Sequence, residues 1–221
     1  QKNIIILTSV NHQQARAYQW LWGDTTVKLG KVLIYGSSHF SQVVCEHLLK
    51  YDYCELVGFV PSHKPTIIGN MPVKEVEETV PHDIKLSLQY NKKMSNIENA
   101  YNVHTGLLPE YGGRDIMAHT ILNKEVEQGL TFHKMTEKYD YGPIISKITY
   151  PVFEDDTVLC LYKRQVNIAP SFVLSSLMLL QSLEQQQVNL CPKASPTMYR
   201  RTHDIPNNFM QYKMELESEY S

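Results

Sequence analysis

Runs of β-branched and aliphatic residues recur along the chain, each closed by glycine, serine, proline or aspartate. Lys2 to Ser9 reads as a buried strand, and Gln13 to Trp22 as a helix ended by Gly23–Asp24. Lys31 to Tyr35 is a second β-branched run that stops at Gly36-Ser37-Ser38. Phe40, Val43, Val44, His47 and Leu48 then follow at helical spacing, and Leu56 to Val60 is the next strand. Residues 31–60 therefore predict a β-α-β unit, the sign of a parallel sheet with right-handed crossovers.

Further along, Val73 to Val80 predicts a short acidic helix, and Ile84 to Gln89 and Ala100 to His104 predict strands. Asp115 to Asn123 predicts a helix. Leu130 to Met135 and Ile144 to Tyr150 predict an antiparallel strand pair. Thr157 to Ile168 predicts a helix, and Pro170 is placed to start another, on which Val173, Leu177 and Leu180 share one face. The fold class expected is α/β: an open, mostly parallel twisted sheet with helices on both faces. Three parts are expected: a strand-helix extension (1–30), a catalytic domain (31–185) and a tail (186–221) serving acceptor binding or dimerisation.

Composition narrows the function classes. The hydrophobic share is 43%, the charged share 20% and the net charge −2. These are ordinary globular values, and the charge speaks against nucleic acid or an anionic membrane as partner. The four cysteines form no C-x-x-C pair, which predicts free thiols in a reducing cytoplasm. The apolar run at the N-terminus is short for a signal peptide. Pro170 to Leu183 is about 14 residues against the roughly 20 that span a bilayer, so a cytoplasmic protein is expected.

Chemistry concentrates in two segments. In Tyr101-Asn102-Val103-His104-Thr105-Gly106-Leu107-Leu108-Pro109, Asn102 and His104 are two apart on a strand. They therefore share a face while Val103 points into the core. An amide beside an imidazole at the carboxyl end of a parallel strand lies where open α/β sheets place their sites; plain turn residues are the competing reading. The second segment holds Thr131-Phe132-His133-Lys134-Met135 and Asp140-Tyr141-Gly142-Pro143-Ile144-Ile145. Gly36-Ser37-Ser38 is either a helix cap or an anion-cradling turn, and it lacks G-x-G-x-x-G. No H-E-x-x-H or paired Cys/His spacing supports a metal, and no G-x-S-x-G supports a serine hydrolase.

Together the two segments resemble the formyltransferase family, which includes glycinamide ribonucleotide transformylase, methionyl-tRNA formyltransferase and nucleotide-sugar N-formyltransferases. Its pattern runs N-x-H-x-x-x-L-P, then Tyr and Gly, T-x-H-x-M and D-x-G-x-I-I. Every element is present in order within about residues 31–165. The resemblance implies N10-formyltetrahydrofolate as donor, no metal, and Asn102, His104 and Asp140 as the catalytic trio. It also implies that Gln89, Tyr90 and Asn91 face Lys138, Tyr139 and Asp140 across the folate. Ser37, Ser38, Lys92, Thr105, Gly106 and Tyr111 are expected on the acceptor side. His133 is expected to support the Asp140 loop, and Gly142 to let the chain double back beside Asp140.

One departure bears on the acceptor. Relatives commonly carry Arg directly after the loop tyrosine, whereas Tyr111 is followed by Gly112-Gly113-Arg114. Ser87-Leu88-Gln89-Tyr90-Asn91-Lys92 and Met198-Tyr199-Arg200-Arg201 are similar to stretches of the sugar enzymes. The expected acceptor is a nucleotide-linked amino sugar, a dTDP-4-amino-4,6-dideoxy sugar, in a homodimeric enzyme. The alternatives are a glycinamide ribonucleotide enzyme, a methionyl-tRNA enzyme, and a non-catalytic folate- or nucleotide-binding module.

Overall fold

The computed structural model describes residues 28–62, 71–187 and 197–199. The strand and helix expected before residue 28, and most of the tail, lie outside the described residues. Strand β1 (Lys31–Tyr35) leads through Gly36-Ser37-Ser38 into α1 (His39–Leu48) and back to β2 (Glu55–Val60). Next come β3 (Ile84–Leu88), β4 (Ala100–His104), the two-residue β5 (Gly112–Gly113) and α2 (Ile116–Leu122). The hairpin strands β6 (Glu127–Lys134) and β7 (Ile144–Pro151) precede α3 (Val158–Gln185), and β8 (Met198–Tyr199) ends the described chain.

Six strands form one sheet in the order β2-β1-β3-β4-β6-β7. The pairings β1–β2, β1–β3 and β3–β4 are parallel, and β4–β6 and β6–β7 antiparallel. This is the expected open, mostly parallel sheet. Strand order reverses at β1, so the carboxyl ends of β1, β3 and β4 frame the crevice that such sheets use. The loops there are tied together: the Ser41 hydroxyl donates to the Leu88 carbonyl at 2.8 Å.

Alternation sorts the two faces. Val32, Ile34, Leu86, Leu88, Tyr101, Val103, Leu130 and Phe132 form one core cluster with Phe40 and Val44 of α1 and Phe172, Val173 and Leu177 of α3. Leu33, Tyr35, Val60, Met94 and Ala100 form a smaller cluster on the other face, covered by Val76, Val80 and Ile97 from irregular segments. Ser87, Asn102, His104, Thr131 and His133 fall by alternation on this second face, away from α1 and α3.

Two local expectations are corrected. Val73–Val80 is not a helix. Phe59 N donates to Lys74 O and Val76 N to Phe59 O, both at 2.9 Å, so the segment runs alongside β2. Its β-branched valines between Pro72 and Pro81 favour extended backbone over a helical turn. The two expected C-terminal helices are one: α3 runs through Pro170. Proline removes one helix hydrogen bond, and the apolar packing of Ala169 and Pro170 along the core offsets that loss. Thr157 caps the helix, its hydroxyl accepting from Cys160 N at 3.2 Å. By length and composition alone α3 could cross a membrane; here Leu161, Val173, Leu177 and Leu180 are buried within the domain.

Cys45, Cys54 and Cys160 are free thiols. Burial pushes the Cys45 thiol up to about 12 and that of Cys54 to about 11, so neither is a nucleophile near neutrality.

The turn before α3 is locked by charge. Burial alone would raise the Asp156 carboxyl, but the Arg164 guanidinium, donating through both terminal nitrogens, and the Phe153 N–H hold it below the usual carboxylate range. A lowered folded pKa contributes stability at neutral pH that is lost as pH falls through it. Asp156→Asn should therefore cost about 2 kcal/mol at pH 7, a fall of roughly 4–8 °C in thermal midpoint. The deficit should shrink when both proteins are melted near pH 3; an equal deficit at the two pH values would assign it to packing.

Candidate active site

Strand β4 delivers the first two groups. Its parallel register with β3 sets Asn102 beside Ser87. Its antiparallel register with β6 sets Asn102 opposite His133 and His104 opposite Thr131. The Asn102 amide nitrogen lies 3.1 Å from His133 Nε2. His133 Nδ1 lies 3.0 Å from the Lys134 carbonyl, an oxygen that can only accept. The ring therefore carries its hydrogen on Nδ1 and takes one from Asn102 on Nε2. That bond fixes which end of the Asn102 amide is nitrogen and leaves its second N–H for another acceptor.

His104 is buried, 6% exposed, yet sits at the site's edge. Its Nε2 lies 2.6 Å from the Tyr111 carbonyl and therefore donates. Its Nδ1 faces Asp140 Oδ1 at 3.4 Å. Both ring nitrogens thus face oxygens, one a fixed carbonyl and one a carboxylate. The close approach of Tyr111 O needs Gly106, whose added Cβ would lie 2.5 Å from that oxygen and 2.9 Å from His104 Nε2.

Asp140 arrives from the β6–β7 connection. Lys134 N donates to Pro143 O at 2.9 Å, closing the loop at its base. Gly142 presses so near this base that a Cβ there would meet Lys134 O at 1.6 Å. The loop doubles back as expected, with Asp140 in the left-handed region at φ 56°. Gly113 N donates to Asp140 Oδ2 at 2.8 Å, leaving Oδ1 toward His104. His133 Nε2, which takes the Asn102 hydrogen bond, also lies 3.9 Å from the same Oδ1.

The remaining expected residues divide. Ser38 caps α1, its hydroxyl accepting from Ser41 N at 3.3 Å, and Ser37 Oγ accepts from Ser62 N at 3.3 Å. Thr105 O accepts from the buried Gln165 amide at 3.3 Å. Gln89 has a left-handed backbone, Tyr90 packs edge-on against Tyr35, and Asn91 is exposed beside a half-buried Lys92. Lys138 lies over the Tyr141 ring, and Tyr139 is 65% exposed. The segments 89–93 and 136–140 face one another, joined at the rim by Lys93 and Glu137 at 3.9 Å. Tyr111 is held by its hydroxyl, which donates to Glu125 at 2.6 Å.

Sequence reasoning missed the residues that hold the post-β4 turn. The Thr131 hydroxyl donates to Gly106 O at 2.6 Å and accepts from Leu108 N at 3.1 Å; Gln128 Oε1 accepts from Leu107 N at 3.0 Å. Thr131 stands in the T-x-H pattern, a signal that was present; Gln128 carries none. A groove of about 450 Å³ between α1 and α3, lined by His39, His47, Lys50, Tyr162 and Lys163, contains none of the candidate residues. Among the described residues no group of three His, Cys, Asp or Glu is placed to hold a metal ion.

The family model described as Formyl transferase matches residues 94–177. The bifunctional polymyxin resistance protein ArnA of Wigglesworthia glossinidia brevipalpis is 32% identical over 48% of this chain and 17% of its own length. Methionyl-tRNA formyltransferase of Lactococcus lactis is 23% identical over 75% of this chain and 65% of its own. The chain thus spans less than two thirds of either relative. In fold it is similar to an N-formyltransferase of Helicobacter canadensis solved with folinic acid and dTDP-3-aminofucose: TM-score 0.62, 20% identity, 86% of this chain and 82% of the other.

Thr131→Val keeps the side-chain shape but strands two buried backbone groups of the turn. It should lower the unfolding free energy by about 2–4 kcal/mol, measured by denaturant titration. A loss under about 1 kcal/mol would show that the turn holds without this hydroxyl.

Proposed function

We propose that this chain, whose residues 94–177 belong to the formyl transferase family, transfers a formyl group from N10-formyltetrahydrofolate to the amine of a nucleotide-linked amino sugar, a dTDP-4-amino-4,6-dideoxy sugar. The observation that carries the reading is the convergence of Asn102, His104 and Asp140 at the carboxyl end of β4: Asn102 is oriented by a bond that leaves its second N–H open, and the bonds to Tyr111 O and Gly113 N turn His104 Nδ1 and Asp140 Oδ1 toward each other.

The segments beside the trio suit the donor by their chemistry. The left-handed backbone at Gln89 and the exposed loop Glu137–Tyr139, linked by Lys93 and Glu137, offer main-chain groups for the folate. The folate, when bound, supplies the formyl carbon to be attacked. The bond from the acceptor nitrogen to that carbon forms as the carbon's bond to the folate nitrogen breaks. Asn102 offers its second N–H to the formyl oxygen as negative charge develops there; one such donor is worth about 3 kcal/mol of barrier. His104 holds Nε2–H against Tyr111 O, so Nδ1, beside Asp140, is the atom that takes the proton shed by the acceptor amine and returns it to the departing folate nitrogen, which leaves as a neutral N–H. Asp140 Oδ1 faces that nitrogen and stabilises the positive charge the ring acquires. No covalent bond to the protein is needed.

Support for a sugar nucleotide comes from the Helicobacter canadensis protein, crystallised with dTDP-3-aminofucose, and from the Gln89–Lys92 stretch. Purified protein should be assayed with N10-formyltetrahydrofolate against dTDP-amino sugars, glycinamide ribonucleotide and charged initiator tRNA. Formylation of a dTDP-amino sugar is expected. Formylation of only one of the other two would replace the acceptor assignment, and folate binding without any turnover would leave a binding module. His104→Asn, Asp140→Asn and Asn102→Ala should each lower kcat by about 100-fold or more; turnover of His104→Asn within threefold of the parent would remove the catalytic assignment.

A further inference from the structure

The two backbone groups that hold His104 and Asp140, Tyr111 O and Gly113 N, lie within three residues of each other. That short stretch is itself paired with a strand from far along the chain. Gly112 N donates to Thr197 O at 2.9 Å, Arg114 N to Tyr199 O at 3.1 Å, and Thr197 N to Pro109 O at 2.9 Å. In an extended strand successive N–H groups point to opposite edges. Pairing 112 and 114 with β8 therefore turns the N–H of Gly113 the other way, onto Asp140.

A pair of two-residue strands is marginal by itself, so side chains must secure it. The Tyr199 ring stacks on Tyr111 at 4.9 Å with 6° between planes, and packs on His119 at 4.5 Å. The Asn123 amide donates to both tyrosine hydroxyls, at 2.8 Å to Tyr111 and 3.1 Å to Tyr199. The backbones touch closely: a Cβ on Gly113 would lie 2.1 Å from Tyr199 O. Any displacement of β8 is thus passed directly to the residue that orients Asp140.

We propose that β8 is a strap for the active site and that Tyr199 is a positioning residue: by docking on Tyr111 and His119 it sets the 111–113 backbone that aims His104 and Asp140 at the reacting atoms. This rests on the proposed formyl transfer, in which those two side chains manage the amine's proton. Tyr199 touches neither, so its loss acts on geometry. A displacement of about 1 Å at reacting groups is enough to cost on the order of 100-fold.

The test compares Tyr199→Ala with Tyr199→Phe in the full chain. Tyr199→Ala should lower kcat at least tenfold while the KM values for folate and acceptor stay within twofold. Tyr199→Phe, which keeps the stack, should stay within threefold of the parent. Hydrogen exchange at Gly113 and Arg114 should accelerate at least tenfold in the alanine variant and remain unchanged in β4 and β6. A kcat within twofold of the parent would overturn the strap. A raised acceptor KM with kcat intact would make Tyr199 a substrate contact and overturn it equally. If Tyr199→Ala does not fold, His119→Ala and Asn123→Ala each remove one contact of Tyr199 and should give the same exchange signature in milder form; normal exchange in both refutes the strap. If the parent turns over no acceptor, the functional reading falls, and exchange at residues 112–114 still decides the strap.

Discussion

The antiparallel pairing of β4 with β6 places Asn102 opposite His133 and His104 opposite Thr131, and every further bond at the site presumes that register. Side chains on a strand alternate, so a slip of one residue would turn all four polar groups into the cluster beneath α1 and α3. The same slip would expose Tyr101, Val103, Leu130 and Phe132, each at most 3% exposed. Burial of that apolar quartet is therefore what fixes the polar groups. The core on one face determines the chemistry on the other. A register irregularity against β7 falls at Phe132/His133, beside the site, where bulges commonly re-aim side chains.

From this register the site is assembled mostly by main-chain groups. Thr131 carries the turn at Gly106–Leu108, the turn brings Tyr111 O to His104, and the adjoining backbone brings Gly113 N to Asp140. The imidazole is thereby held between a neutral carbonyl that fixes its tautomer and the Asp140 carboxylate. An arrangement of this kind costs no reorganisation when charge develops, which is where preorganised dipoles act most strongly.

The legible part of the sequence was the part written in side chains. Runs of β-branched and aliphatic residues located β1, β2, β3, β4, β6 and β7, and the spacing of Asn102 and His104 on one face placed them together without any structure. Asp140 was found through the family pattern. The valines of 73–80 were misread because acidic residues between them mimic a helix surface, whereas the prolines at both ends and the open edge of β2 favour extended pairing. Pro170 was misread as a helix start because its burial, which lets α3 continue, has no local signature. The backbone partners of His104 and Asp140 were illegible for a simpler reason: a carbonyl or an N–H looks the same at every position of a sequence.

Backbone holding of the site lets the resemblance coexist with the Gly112–Gly113 departure. A site held by backbone tolerates changes of side chain at the holding residues and resists only changes that move the backbone. Glycines after Tyr111, in place of the charged residue common in relatives, clear the space that β8 occupies against Gly113. The geometry of the His104–Asp140 pair and the outward side chains of the same loops are thus varied by different means. Geometry is set by register, turns and close backbone contacts. The outward side chains can change without disturbing it, because substitutions there need not move the backbone.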